Sequence, residues 1–265
     1  MTPTLVATRL GDRAADGAAR PLLVVGPSLG TSVRALWTGA ARLLCDRFDV
    51  VGIDLPGHGR SPAAAGGIDM ADLARGILAA AGAVQADPGD AGAPFHYAGV
   101  SAGGCIGLQL LVDAPDRIGR AVILNSAARI GEPQGWVDRA ALVAEQGVGA
   151  LRQASAERWF APGFADRDPA TAAALLDSLC AADGAGYRQV CGALARFDLR
   201  DRLGGIARPV LAIGGQDDVA TPPGLQHDIA RGVRDGRAEI LPQVGHLAPA
   251  EAPRDVARLI GAFLG

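Results

Sequence analysis

Six short apolar runs, several rich in β-branched residues, punctuate the chain: PLLVV (21–25), DVVGIDL (49–55), FHYAGV (95–100), AVILNS (121–126), PVLAIGG (209–215) and AEILPQV (238–244). They read as strands buried on both faces. Between several of them, apolar positions recur at helical spacing. Met70, Leu73 and Ile77 mark one such stripe, and Val256, Leu259, Ile260 and Phe263 mark another near the C-terminal end. Strand and helix in alternation predict an α/β fold, a mostly parallel sheet flanked by helices.

The alternation lapses between residues 129 and 202. That stretch is helical in tone (WVDRAALVAEQGVGALRQA, PATAAALLDSLCAA), shows no clear strand, and holds two of the three Trp, Trp136 and Trp159. The expected organisation is a core of 1–128 and 203–265 with a helical cap, 129–202, inserted after a central strand. Such a cap would lie over the carboxyl ends of the strands, where open α/β sheets bind ligands. AGGIDM and ADPGDAGAP read as loops, and no internal repeat is present.

One strand runs directly into a helix through Gly99-Val100-Ser101-Ala102-Gly103. With seven Ser and 37 Gly in the chain, a G-x-S-x-G match arises by chance about one time in seven; its strand-before, helix-after setting is what gives it weight. So sharp a bend forces strained backbone angles on the serine and leaves no room for larger side chains two positions either side. It also lifts the hydroxyl above the sheet and sets the next backbone N–H, that of Ala102, at a helix N-terminus.

A serine needs a base. Of the four histidines, His96 sits in a strand, His227 in a polar helix, and His58 in DLPGHGRSP, where it braces a loop. His246 follows the last strand, in LPQVGHLAPAEAP, where an imidazole can reach across to Ser101. The orienting acid is expected after the preceding strand, in LAIGGQDDVATPP, as Asp217 or Asp218. The glycine-rich GPSLGTSVRALW loop offers the backbone N–H of Leu29 as a second oxyanion donor beside Ala102.

Composition mostly removes alternatives. At 265 residues and 49% apolar, the chain can build one large core without metal or disulfide staples. A formal charge of −3 with both signs scattered gives no basic face for nucleic acid. All 25 basic residues are Arg, which excludes lysine Schiff-base chemistry, pyridoxal phosphate attachment and a Walker-type phosphate loop. No H-E-x-x-H or G-x-G-x-x-G is present and the histidines do not cluster, so neither metal nor other cofactor is expected. Cys45, Cys105, Cys180 and Cys191 form no C-x-x-C and suit a reducing compartment. With no signal-like run and no apolar stretch of the roughly 20 residues a membrane span needs, the expectation is a soluble, cytoplasmic protein with no membrane partner.

These segments together resemble the α/β-hydrolase superfamily, and within it the 3-oxoadipate enol-lactonases. GPSLGTSVRALW is similar to that family's P-S-L-G-T oxyanion loop, and GVSAGGCIGLQL, ILNSAARIGEPQGW, ERWFAPGF and DDVATPP match further pieces. The family pattern D-x-A-T-P selects Asp218, four residues before Pro222, and His246 fits G-H-L…E-x-P with Glu251 and Pro253 in place. The resemblance implies a Ser101–His246–Asp218 triad that opens an enol-lactone ring to 3-oxoadipate in aromatic-compound catabolism. It implies a small substrate bearing a carboxylate, with Arg139 and Arg158 as candidate cationic contacts and Trp136 and Trp159 as apolar walls. The same scaffold also serves hydrolases of other small esters or lactones, and ligand-binding receptors without turnover.

Overall fold

The structure, a computed structural model, describes residues 1–11, 20–85 and 92–265. Most of the expected loop ADPGDAGAP lies outside the described residues. Among those described, the strands are β1 (Ala7–Arg9), β2 (Leu22–Gly26), β3 (Asp49–Ile53), β4 (Phe95–Val100), β5 (Ile118–Leu124), β6 (Val210–Gly215) and β7 (Gly236–Leu241). They form one sheet in the order β1-β3-β2-β4-β5-β6-β7, parallel throughout except for β1, which pairs antiparallel with β3. The helices are α1 (Val33–Leu44), α2 (Met70–Val84), α3 (Ala102–Asp113), α4 (Pro133–Gln146), α5 (Arg152–Trp159), α6 (Phe164–Arg167), α7 (Pro169–Cys180), α8 (Gly184–Arg196), α9 (Pro223–Gly232), α10 (Ala248–Glu251) and α11 (Pro253–Leu264). Helices flank the sheet as the alternation predicted, α1 packing on α11 and α2 on α3.

Local sequence explains where the helices begin. The Ser32 hydroxyl accepts from the Ala35 N–H to start α1, and Asp69 and Asp72 form a reciprocal capping box at α2. Met70, Leu73 and Ile77 face the core from α2, and Val256 and Ile260 do so from α11. Trp37 of α1 is fully buried and donates its indole N–H to the Gly26 carbonyl (3.0 Å).

Three boundaries differ from the sequence pattern. The strand β1 was not anticipated, because its three residues, Ala-Thr-Arg, carry no apolar run. The run AVILNS leaves the sheet at Leu124, since Asn125 adopts φ 44°. The run AEILPQV was expected to be buried on both faces and is not: β7 is an edge strand paired only with β6, its Arg237 and Glu239 are exposed, and it ends at Leu241 before Pro242.

Register decides what the sheet presents at one end. Gly26 pairs with Gly99, Val100 with Leu124, and Leu124 with Ile213, so β2, β4, β5 and β6 finish nearly level. The turns that follow them emerge side by side, which is where the alternation predicted a ligand site. Helices α4 to α8 all fall between β5 and β6, with α4 packed on α8. They meet the turns through the Ser178 hydroxyl, which accepts from the Ser32 N–H (2.7 Å), and through the Asp183 N–H, which donates to the Gly57 carbonyl (2.8 Å).

Strand β4 passes into α3 through a single residue, Ser101, at φ 56°, ψ −114°. Its flanking glycines are required by space: a Cβ on Gly99 would lie 2.3 Å from the Gly103 carbonyl oxygen, and one on Gly103 would lie 2.8 Å from the Pro27 carbonyl oxygen. Both obstacles are backbone, so neither can rotate away. Gly99→Ala is expected to lower the free energy of unfolding by at least about 2 kcal/mol, read as a fall in the urea midpoint without a change in slope.

Candidate active site

The bend at Ser101 is held from three sides. Its N–H donates to the Leu124 carbonyl (2.9 Å), and its carbonyl accepts from the Cys105 N–H (2.9 Å) and the Ser126 hydroxyl (2.8 Å). The buried Tyr97 hydroxyl donates to the Gly103 carbonyl, two residues on from Ser101 (2.8 Å). Positive φ at a non-glycine costs about 1–3 kcal/mol and persists only when surroundings over-determine it; these four bonds do so. Ser101 is thereby presented at a small, partly open cavity of about 40 Å³ that His246 and Leu29 also line.

The structure brings Asp218, not Asp217, to the imidazole. The His246 Nδ1–H donates to Asp218 Oδ2 at 2.9 Å, with Oδ1 at 3.1 Å. Asp217 is partly exposed, and its N–H is bound to the Val244 carbonyl (2.9 Å). Asp218 also accepts from the Thr221 hydroxyl (2.6 Å), the Asn125 side-chain amide (3.0 Å), and the N–H groups of Ala220 (2.8 Å) and Thr221 (2.9 Å). Burial alone would raise this carboxyl, but the His246 ring and the Thr221 donors hold it down at about 2. An ionised Asp218 can only accept, so the His246 proton sits on Nδ1 and Nε2 is left as the acceptor. Among the described residues no hydrogen bond joins the Ser101 hydroxyl to His246; the two share the cavity, an arrangement that tightens in other such sites when substrate is bound.

Two backbone donors complete the candidate set. Among the described residues, the N–H groups of Leu29 and Ala102 donate to no protein acceptor. The Leu29 loop is shaped by its neighbours: the Thr31 N–H and hydroxyl both donate to the Ser28 carbonyl (3.0 Å each), and Gly30 takes φ 90°. The Gly30 N–H donates to His58 Nε2 (3.0 Å), while His58 Nδ1–H donates to the Pro56 carbonyl (2.8 Å). His58 is therefore the loop brace that its sequence setting suggested. Burial lowers its pKa from 6.5 to about 4, keeping it neutral and able to accept. His96 and His227 lie outside the cavity, half-buried on β4 and exposed on α9.

The two candidate cationic contacts and the two candidate apolar walls all line this cavity. Trp159 is buried, and Trp136 is half-buried with its indole N–H donated to the Ile130 carbonyl (2.7 Å). Arg139 is partly covered and donates through Nε to the Tyr187 hydroxyl (2.9 Å); Arg158 is exposed. Sequence reasoning missed two contributors. Tyr187 lines the cavity and stacks on His58 at 5.9 Å, and Asn125 donates to Asp218. The position of Asn125 at the end of a buried strand was the available signal; Tyr187 had none beyond being one of two tyrosines. A larger groove of about 410 Å³ lies elsewhere, between Leu203 and α9, where Arg129, Arg200 and Arg231 are each paired with an acid.

A buried acid–imidazole pair beside a serine on a strained strand–helix bend, with two free N–H groups, defines a class of site built for acyl transfer. Residues 17–259 match the alpha/beta hydrolase family, and the chain belongs to it; it is a carboxylic ester hydrolase resembling the enol-lactonases. It is 32% identical over 92% of its length to 3-oxoadipate enol-lactonase 2 of Acinetobacter baylyi, covering 89% of that protein, and 28% identical to 3-oxoadipate enol-lactonase 1 of the same organism over 92% of this chain and 88% of that one. The crystal structure of the enol-lactonase from Burkholderia xenovorans LB400 superposes with a TM-score of 0.89 at 30% identity, covering 98% of this chain and 96% of that one. Among the described residues no helix is long and apolar enough to cross a membrane.

Two groups here make stability depend on pH. The folded state resists protonating His58, so stability from that residue is complete above pH 6.5 and falls as pH drops to about 4. That interval corresponds to roughly 3 kcal/mol. The Asp218 contribution is complete above 3.8 and is lost as pH falls to about 2. Urea unfolding at pH 7.5 and pH 5 is expected to show the first loss, and His58→Gln, which does not titrate, is expected to flatten it.

Proposed function

We propose that this protein hydrolyses 3-oxoadipate enol-lactone to 3-oxoadipate. The observation carrying this reading is the Asp218–His246 pair at 2.9 Å, with His246 lining the same cavity as Ser101 and Leu29. In the proposed mechanism, the Ser101 hydroxyl oxygen attacks the lactone carbonyl as its proton passes to His246 Nε2. Asp218 keeps the imidazole in the required tautomer and stabilises its positive charge. The carbonyl oxygen, now an oxyanion, accepts from the N–H groups of Leu29 and Ala102, each such donor contributing about 3 kcal/mol to the transition state.

Collapse of this intermediate breaks the ring C–O bond, and the departing enol oxygen takes the proton from His246. The enol tautomerises to a ketone, while the acyl group stays on Ser101. Water, deprotonated by His246, then attacks the ester. Ser101 recovers its proton as the new carboxylate leaves.

The substrate's own carboxylate needs a cation at the far side of the cavity. Arg139 and Arg158, which line the cavity, are the proposed source of it, with Trp136 and Trp159 as apolar walls. The names of the relatives support the lactone assignment, and so do the two arginines. In this reading residues 129–202 act as a cap on a core of 1–128 and 203–265, and the reaction takes place in the cytoplasm with no cofactor.

Three measurements test the proposal. Loss of the enol-lactone's ultraviolet absorbance is expected at micromolar enzyme; no loss, with p-nitrophenyl acetate still turned over, would leave an esterase of another substrate. Ser101→Ala is expected to lower kcat by at least about 10⁴-fold on both substrates. Arg139→Ala or Arg158→Ala is expected to raise KM for the lactone about 10- to 100-fold with little change for the uncharged ester. If neither does, the carboxylate contact lies elsewhere.

A further inference from the structure

Outside the triad, Glu251, a partly buried acid at the end of the short helix α10, is bound by backbone donors alone. Its carboxylate collects three backbone N–H groups. One oxygen accepts from Gly245 (3.1 Å) and Ala161 (2.9 Å), and the other accepts from Leu247 (3.2 Å). Gly245 and Leu247 are the immediate neighbours of His246 on either side. Ala161 lies two residues beyond the wall residue Trp159. The His246 N–H itself donates to the Trp159 carbonyl (2.7 Å). Four hydrogen bonds thus converge on two short segments, 159–161 and 245–247.

Packing shows how close these segments are. A Cβ on Gly245 would lie 2.6 Å from both the Ala161 nitrogen and the Trp159 carbonyl oxygen. Only a residue without a side chain lets the two backbones meet, and Glu251 fills the remaining hydrogen-bonding demand from below. An amide could not replace it: glutamine offers one accepting oxygen, and its NH₂ would face an N–H. Burial pushes the Glu251 carboxyl up from its usual value, while the three N–H donors and His246 pull it down.

We propose that Glu251 is a positioning residue that fastens the His246 loop to the Trp159–Ala161 segment, so that the base and one wall of the cavity move as a single body. The proposal rests on the reading of His246 as the catalytic base. Its physical content is that a wall displacement at Trp159 cannot occur without displacing the imidazole. Motion that admits substrate is then left to the opposite wall, formed by α4 and α8 with Trp136, Arg139 and Tyr187.

The test uses backbone amide exchange and kinetics on the full chain. In the wild-type protein under increasing urea, the amides of Ala161, Gly245, His246 and Leu247 are expected to share one opening transition. Different openings for the two segments would overturn the proposal, and this arm reads the same whether or not the lactone is a substrate. In Glu251→Gln, exchange is expected to quicken at least about tenfold in both segments together. Quickening in one segment alone, or in neither, would overturn it. With p-nitrophenyl acetate the same variant is expected to lose about 10- to 100-fold in kcat with KM within about twofold, as a misplaced base requires. A loss confined to KM, or an unchanged kcat, would count against positioning. Failure of wild-type turnover, by contrast, would strike the functional reading and not the exchange result.

Discussion

One carboxylate ties together the ends of three strands. Asp218 follows β6 and bends its own turn by accepting from the Ala220 and Thr221 N–H groups, as aspartate does in tight turns. It then accepts from Asn125, which follows β5, and from His246, which follows β7. The desolvation of this charge is offset by five donors, and the arrangement explains why it stays ionised while only 3% exposed. Remove that point of convergence and the imidazole has no fixed tautomer, the Asn125 turn no anchor, and the last strand no defined exit.

The strain at Ser101 belongs to the same economy of constraints. Asn125 and Ser101 both take positive φ, and they are linked through neighbouring bonds at adjacent strand ends, Ser101 to the Leu124 carbonyl and Ser126 back to the Ser101 carbonyl. Neither conformation would survive in isolation. Each is held because the register of β4 against β5 brings Val100 level with Leu124. The architecture of the sheet is thus what makes the serine available, and the glycines at 99 and 103 are the sequence's concession to it.

Much of this was legible before any coordinates. Buried strands announce themselves as unbroken apolar runs, and the strand–glycine–serine–glycine–helix passage could hardly be another structure. The choice between Asp217 and Asp218 was not legible from spacing alone: both follow the same strand, and only the turn closed by Thr221 sends one inward. Tyr187 was hidden for a related reason, and Glu251, though part of the G-H-L…E-x-P match, carried no sign of what it holds. Their roles depend on partners 129 and 90 residues away, His58 and Ala161, and no local pattern records such a meeting. The misjudged strand, β7, illustrates the opposite limit, since an edge position is a property of the sheet and not of the segment.

The cavity at Ser101 has a volume of about 40 Å³, room for a water molecule or two, whereas sites that enclose small organic ligands run to several hundred cubic ångströms. The site is partly open to solvent, yet a ring-shaped guest needs more room than this conformation gives and must find the enzyme in a wider state. Intrinsic affinity is then diluted by the fraction of molecules open at any moment. Substitutions that loosen the α4–α8 side would tighten apparent binding without adding a single contact to the guest, at the expense of the fixed geometry that acyl transfer exploits.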